Sequence, residues 1–378
     1  MIAAGADVDV VCSDLHPIHS IRGLTKSYRY GRVWPLASLA RAIDRSDPQL
    51  IIASDDIAVG HLQALVRTGR PELAALIERS LGPAESYEII ASRTRFSRTA
   101  RLAGVDTPDC AEVASVAELT AWLGEFGAPA FLKLDETCGG EGVRLIREGD
   151  DLSGAITTLR QAAALPSAPD RVRKNGPKVS VHKAVAGQPA NCSALAWRGE
   201  VLSVLSVVTL QTLRPFGIAT VVRPVDNPAM RDAAAAIARE LNLTGFFGLD
   251  FILQDGGRRA WVLELNPRPT PISHFALGEG RDLVAALVSK LEARERADRP
   301  AAFPPEANVA IFPHMLRGGG GEAPQLDDWP VGQPRLVRAF ERRRRFADYR
   351  ALLGDWFRPR KPADLLVQLT GSPGVSGN

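Results

Sequence analysis

Cysteine is scarce in this chain: 378 residues hold four, Cys12, Cys110, Cys138 and Cys192, far apart and without Cys-x-x-Cys spacing. That spread excludes a disulfide framework and a zinc knuckle, and it fits a reducing compartment, the cytoplasm. Charge of one sign is lacking too. A formal net charge of +3 is too small at this length to mark a nucleic-acid binder, and no basic residues interleave with aromatics along a face that would bind a nucleic-acid strand. No apolar run is long enough to cross a bilayer, the strongest being "VLSVLSVVTL" at 201–210. The opening "MIAAGADVDVVCSD" has no basic stretch followed by a long apolar one, so neither secretion nor membrane association is expected. Internal repeats are missing. The triplets Asn191-Cys192-Ser193 and Asn242-Leu243-Thr244 match the glycosylation pattern, by chance in a cytoplasmic chain. What is present is a globular composition, 45% hydrophobic and 24% charged, with length for two or three domains.

Residues 1–88 alternate strand and helix signals: "VDVVC", "PLASLARAI", "QLIIAS" and "DDIAVGHLQALVRT" predict βα units around a parallel sheet. Ser54, Asp55 and Asp56 stand where a strand hands over to a helix. Open α/β sheets bind ligands there, and short acidic side chains cap helices there. A second unit over 89–300 opens with the basic helix of "ASRTRFSRTARLAG" and the helix "SVAELTAWLGEFG". It then turns β-rich, with "PAFLKL", "KVSVHKAV" and "ALAWRGEVLSVLSVVTL", the last bent into a hairpin at Arg198-Gly199. A helix at "PAMRDAAAAIARELNL" and a strand pair at 246–265 follow. Residues 165–178 read as an exposed loop. A C-terminal extension, 301–378, combines a flexible glycine-rich stretch with a basic amphipathic helix packed through Val337, Phe340 and Leu352, with Arg342 to Arg345 on its solvated face.

The chemistry starts at "GFFGLDFILQDGGRRAWVLELNPRP". Apolar runs flank Gln254-Asp255-Gly256-Gly257, a turn rich in residues that accept positive φ, which predicts an antiparallel hairpin. A turn centred near Gly257 puts Asp250 opposite Glu264, and period-2 alternation puts Asn266 and Arg268 on the face of Glu264. Opposed carboxylates repel, so something positive belongs between them. Two carboxylates and an amide oxygen form a hard partial shell of the type that holds Mg²⁺ when phosphates and water complete it. A solvent-facing ribbon is the plain alternative, and strands carrying Phe246, Phe247, Leu249, Phe251, Trp261, Val262 and Leu263 are too apolar for one.

Upstream, "PAFLKLDETCGGEGVRLI" reads strand, loop, strand, with Lys133 in the first strand and Gly139, Gly140 and Gly142 in the loop. Glycines let backbone N–H groups converge on an anion, and a lysine adds a point charge for phosphate. No Gly-Lys-Ser/Thr follows and no helix comes next, so this is neither a Walker loop nor a dinucleotide fingerprint. Taken alone, it fits a glycine-rich turn with a snorkelling lysine equally well.

In order, Lys133, the "GGEGV" loop, the hinge-like "VHKAVAG", Asp250 in "GLDF" and Glu264-x-Asn266-x-Arg268 in "ELNPRP" resemble the ATP-grasp superfamily. The resemblance runs from about residue 90 to 300, and the "ELNPRP" ending followed by "HFALGEGRDL" looks most like the branch of carbamoyl-phosphate synthetase, biotin carboxylase and amino-acid ligases. It implies a mixed α/β and α+β architecture: a Rossmann-like pre-ATP-grasp domain, then a two-subdomain ATP-grasp fold whose lid covers about 118–186. It also implies ATP with Mg²⁺, or Mn²⁺ in its place, and transfer of the γ-phosphate to a carboxylate whose acylphosphate an amine captures. Small-molecule acid and amine are the implied partners, a homo-oligomer being compatible with them.

By matching position, Lys133 would touch the phosphates, and the loop of Gly139, Gly140, Glu141, Gly142 and Val143 would close over them. His182, Lys183, Ala184 and Val185 would form the adenine hinge, and Asp250, Glu264 and Asn266 would ligate the metal. Arg268 would steady the transferred phosphoryl group, Arg93 stands where the family has another phosphate-binding lysine, and Arg223 is either a cation facing the reaction centre or a strand-end arginine in solvent. The pattern departs at His182, where a carboxylate is common, and after Gly187, where the ribose acid is missing. It departs also at the start, where the family has a strand and helix ahead of "AGADVDVVC"; an exposed sheet edge is expected to follow. A bicarbonate-activating enzyme and a nucleotide-binding protein without catalysis are the competing functions. Cys12, His16 and His19 have a spacing that would seat a transition metal but read as the loop after a strand, and no histidine is placed to activate Cys138.

Overall fold

A computed structural model describes residues 1–31, 33–135, 137, 142–164, 178–317 and 324–344. The expectations for Cys138, Gly139, Gly140, Glu141, the loop at 165–177 and the end of the C-terminal helix lie outside the described residues.

The chain opens with β1 (Asp9–Cys12) and β2 (Lys26–Arg29), paired in parallel, then α1 (Pro35–Ser46), α2 (Asp56–Val66), α3 (Pro71–Leu81) and α4 (Ala84–Ile90). The expected strand at "QLIIAS" does not form. Burial alternates along 51–54 as in a strand, yet no strand among the described residues pairs with it, and the Ile51 N–H donates to Ser80 Oγ at 3.0 Å. The parallel sheet is therefore two strands, with the second in "TKSYRY", where no strand was expected.

Next come α5 (Arg93–Leu102), β3 (Cys110–Glu112), α6 (Val116–Phe126), β4 (Ala130–Leu134), β5 (Val143–Ile146), α7 (Leu152–Ala164) and β6 (Val179–Lys183). The strands form an antiparallel sheet in the order β3-β6-β4-β5. Its edge strand β3 lies ahead of the start expected for the lid at 118. One face packs on α6 and α7 through Leu132, Leu134, Val181, Leu119, Trp122 and Ile156. Period-2 alternation then turns Phe131, Lys133, Ser180 and His182 to the other face.

The largest sheet follows: β7 (Gln188–Trp197), β8 (Glu200–Thr212), β9 (Ala219–Val225), α8 (Pro228–Glu240), β10 (Gly245–Gln254), β11 (Arg259–Asn266), α9 (Leu283–Glu292), β12 (Val309–Ala310) and β13 (Leu326–Asp327), in the order β11-β10-β7-β8-β9-β12-β13. Arg198 and Gly199 turn β7 into β8 with φ of 52° and 81°, the pair of left-handed residues a two-residue hairpin favours. One face packs on α5 and α8 through Ala194, Phe247, Leu249, Phe251, Phe96, Met230 and Ile237. The opposite face packs on α9 and the segment after β11 through Leu195, Phe246, Phe275 and Leu287. Residues 334–344 are helical, and Phe340 meets Phe312 edge-on at 5.2 Å.

The hairpin has the expected register, with Asp250 opposite Glu264. Between Asp250 and Phe251 the pairing shifts by one residue, a β-bulge that leaves Leu263 unmatched. Burial along β11 changes phase there: Ala260, Val262 and Leu265 are buried, while Leu263, Glu264 and Asn266 are half-buried.

Candidate active site

A cleft of about 1800 Å³ lies between the Lys133 face of the four-stranded sheet and the part of the large sheet that presents Asp250 and Glu264, and it reaches the N-terminal unit. Its floor is the β10–β11 hairpin. Asp250 and Glu264 face it because their buried neighbours Leu249, Phe251 and Leu265 commit the other face to the core. Asp250 is held from two sides: Asn191 on β7 donates Nδ2 to its Oδ1 at 2.6 Å, and Asn266 donates Nδ2 to its Oδ2 at 3.2 Å. Glu264 receives the Arg93 guanidinium through Nη1.

Arg93 comes from the first turn of α5, whose N-cap is Ser92. Its Nη2 donates to the Thr137 carbonyl at 3.0 Å, and its backbone N–H to Asp135 at 3.4 Å. Its Nε is buried and has no hydrogen-bond partner among the described residues. The Lys133 ammonium, buried on the facing sheet, makes no hydrogen bond or ion pair among the described residues. Burial and the neighbouring Arg93 pull its ammonium down to about 8. His182 is driven well below its ordinary value by burial, Lys133 and Arg93, which keeps it neutral; its Nε2 lies 2.9 Å from Ser180 Oγ.

The carboxylates divide. Burial and the charge of Glu264 push Asp250 up, whereas Glu264 is held down against its own burial by Arg93 and Lys133. One full negative charge is comfortable here and a second is not, the situation a dication relieves. Among the described residues no three His, Cys, Asp or Glu side chains cluster as a metal cage. A donor set of two carboxylates and an amide fits instead a hard dication that completes its shell with phosphate and water.

Beyond Asn266 the chain runs along the cleft wall. Arg268 donates Nε and Nη2 to the two carboxylate oxygens of Asp56 at 2.8 and 2.9 Å, and Nη2 also reaches Asn266 Oδ1 at 3.3 Å. Asp55 caps α2, accepting the Ala58 N–H at 2.7 Å. The pair flagged at the strand-helix junction thus splits into a cap and an arginine clamp.

Asp250, Glu264, Asn266, Arg268, Arg93 and Lys133 therefore come together. The β4–β5 loop closes with Leu134 N–H on the Gly142 carbonyl at 2.8 Å, Gly142 has φ of 68°, and Val143 lines the cleft. At the hinge, His182, Lys183 and Val185 line the cleft, but the N–H groups of Lys183 and Ala184 are already given to Asp109 and Pro129 carbonyls at 2.9 and 3.1 Å. Arg223 does not line this cleft, and its Nε donates to Asn308 Oδ1 at 2.9 Å. Cys12 Sγ lies 3.2 Å from His19 Nε2, while His16 caps a short helical turn through Nδ1.

Three residues of the site were not anticipated. Asn191 had drawn notice only within a glycosylation triplet, and its role depends on β7 lying beside β10 with Asn191 opposite Asp250. Asp135 and Thr137 follow Lys133 so closely that the loop reading absorbed them.

Residues 91–271 match the profile of the ATP-grasp domain. Over 240 residues the chain is 23% identical to the carbamoyl phosphate synthase large chain of Halobacterium salinarum, covering 62% of this chain and 22% of that one, so it spans about a fifth of the relative's length. Among solved structures, the biotin carboxylase domain of Hydrogenobacter thermophilus 2-oxoglutarate carboxylase, in complex with MgADP, ADP and bicarbonate, superposes with a TM-score of 0.57 at 18% identity, over 79% of this chain and 67% of that one. N5-carboxyaminoimidazole ribonucleotide synthetase from Thermus thermophilus gives 0.56 at 17% identity, over 81% and 76%. At these identities the likeness is one of fold.

Proposed function

Residues 91–271 of this chain are an ATP-grasp domain, and from that premise we propose that it is a ligase that activates a carboxylate with ATP as an acylphosphate and joins it to an amine or similar nucleophile. ADP and phosphate are released. The observation that carries this reading is the convergence of Arg93, Lys133 and Arg268 with Asp250, Glu264 and Asn266 in one cleft. Phosphoryl transfer is mostly positioning and charge neutralisation, so such a set outweighs any strong base.

In this reading Lys133 binds the phosphates, the loop ending at Gly142 and Val143 closes over them, and the hinge from His182 to Val185 holds the base with the Val185 N–H. Asp250, Glu264 and Asn266 would hold Mg²⁺, or Mn²⁺ in its place, which when bound neutralises phosphate charge. Arg93 keeps Glu264 ionised and poised, and Arg268 steadies the transferred group. The reading keeps the divisions at 88/89 and 300/301, a cytoplasmic location and small-molecule partners.

Bicarbonate is the second acid to consider, because a structural neighbour holds it with MgADP. The test is Mg²⁺-dependent phosphate release from ATP across pooled carboxylates and amino acids, with hydroxylamine present as a trap. Phosphate and hydroxamate from one pool support the ligase. Release with bicarbonate alone favours the second reading, and silence from every pool while an ATP analogue binds leaves a nucleotide-binding protein.

A further inference from the structure

We propose that His274 and Asp328 form a catalytic dyad in the same cleft, with His274 accepting the proton of the attacking amine; this rests on the ligase reading. His274 Nε2 lies 2.8 and 3.0 Å from the two carboxylate oxygens of Asp328. Their exposures differ in the telling direction: the Asp328 side chain is 11% exposed and the imidazole 55%. Both line the cleft that holds Arg268, Glu264 and Asp250.

Each partner is fixed from its own side. Asp328 follows β13, and its N–H donates to the Ala310 carbonyl at 2.9 Å, tying it to the edge of the large sheet. His274 sits between Ser273, whose Oγ lies 2.6 Å from Ser193 Oγ on β7, and the buried Phe275, whose ring meets the imidazole edge-on at 5.0 Å. Arg299 supports the turn by donating Nη2 to the His274 carbonyl at 3.3 Å.

With the Nε2–H given to Asp328, the lone pair stands on Nδ1, which makes no hydrogen bond among the described residues. A largely covered carboxylate that fixes the tautomer of a histidine open to a ligand cleft is the arrangement of an oriented general base. The histidine at the phosphate end, His182, is buried and paired with Ser180, and among the described residues it has no carboxylate partner. In the step, the amine lone pair attacks the acyl carbon, the C–N bond forms and the C–O bond to phosphate breaks. Phosphate leaves with that electron pair, and the surplus N–H proton passes to His274 Nδ1 while the Nε2–H stays on Asp328.

The test separates activation from coupling. His274→Ala and Asp328→Asn are assayed as full chains with ATP, Mg²⁺ and the same pooled carboxylates and amino acids, once with hydroxylamine and once without. Hydroxylamine arrives uncharged at neutral pH, so hydroxamate formation should be unchanged, while amide formation should fall about 100-fold in His274→Ala. Added imidazole should restore part of the lost amide formation. Hydroxamate and amide falling in parallel, or amide formation unchanged in both variants, overturns the dyad. A wild-type chain that makes neither product overturns the ligase reading and the dyad with it; one that makes hydroxamate leaves the reading standing whatever the variants do.

Discussion

The cleft floor and the arm beyond Asn266, which carries Arg268 and Thr270, meet at one glycine, and Gly248→Ala measures what that contact is worth. A Cβ there would lie 2.2 Å from Thr270 Cγ2, 3.1 Å from the Cys192 carbonyl oxygen and 3.5 Å from Thr270 Cβ. Thr270 cannot simply retreat: it is buried, and its N–H is held by Ser273 Oγ at 2.7 Å. Overpacking of this kind costs about 1–3 kcal/mol. Thr270→Ser removes the clashing methyl and keeps the hydroxyl, losing about 1 kcal/mol of buried apolar contact. In the double variant the nearest remaining contact is the carbonyl at 3.1 Å, tight without overlap. We therefore expect the double variant to be at least about 1 kcal/mol more stable than the sum of the singles, beyond the ~0.3–0.5 kcal/mol within which independent sites add. Urea unfolding of the four proteins supplies the cycle, and phosphate release should track it, falling in Gly248→Ala as the arm shifts and recovering in the double variant. Additive stabilities would refute the contact as the source of the loss.

Two further outcomes follow from the charged groups. Glu264→Gln should cut Mg²⁺-dependent phosphate release at least about 100-fold while the far-UV circular dichroism stays that of the wild type, because the shell loses a carboxylate and Arg93 its counter-charge; unchanged turnover would sink the metal assignment. Asp282, fully buried, caps α9 and binds Arg299 through Nε and Nη2 at 2.6 and 2.8 Å. Against its burial, Arg299 and backbone N–H groups hold it down at about 2 from an ordinary 3.8. A depressed carboxylate stabilises the fold above its unfolded value and loses that contribution as pH falls through its folded one. Asp282→Asn should thus melt below the wild type at pH 7, with the gap closing between 3.8 and about 2; a gap constant across that window counts against the pair.

The hairpin was legible because its information is local: a turn with positive-φ residues and two apolar strands set Asp250 against Glu264 without reference to the rest of the chain. Lys133 was legible for the same reason, since alternation within "PAFLKL" assigns it to the face opposite Ala130, Leu132 and Leu134. What stayed hidden is non-local. Asn191 reaches Asp250 only because β7 is the strand that lies beside β10, and Asp56 reaches Arg268 across 212 positions of sequence. His274 and Asp328 are joined by a strand of two residues, Leu326–Asp327, too short to show a period. "QLIIAS" misled in the opposite sense: it carries a strand's pattern and burial, but strand formation needs a neighbour, and Ser80 takes its N–H instead.

The bulge at Leu263 has a consequence for how this hairpin tolerates changes of length. On the turn side, a lost residue can be absorbed by straightening the bulge, after which Val262 or its substitute faces the core and Glu264 still faces the cleft. On the arm side there is no slack. A residue lost between Glu264 and Asn266 would invert the parity at the end of the strand, turning Asn266 toward the core and shifting the start of the segment that carries Arg268. Substitutions in this hairpin are graded in their effect, but a codon lost is absorbed on the turn side of Leu263 and ruinous on the other.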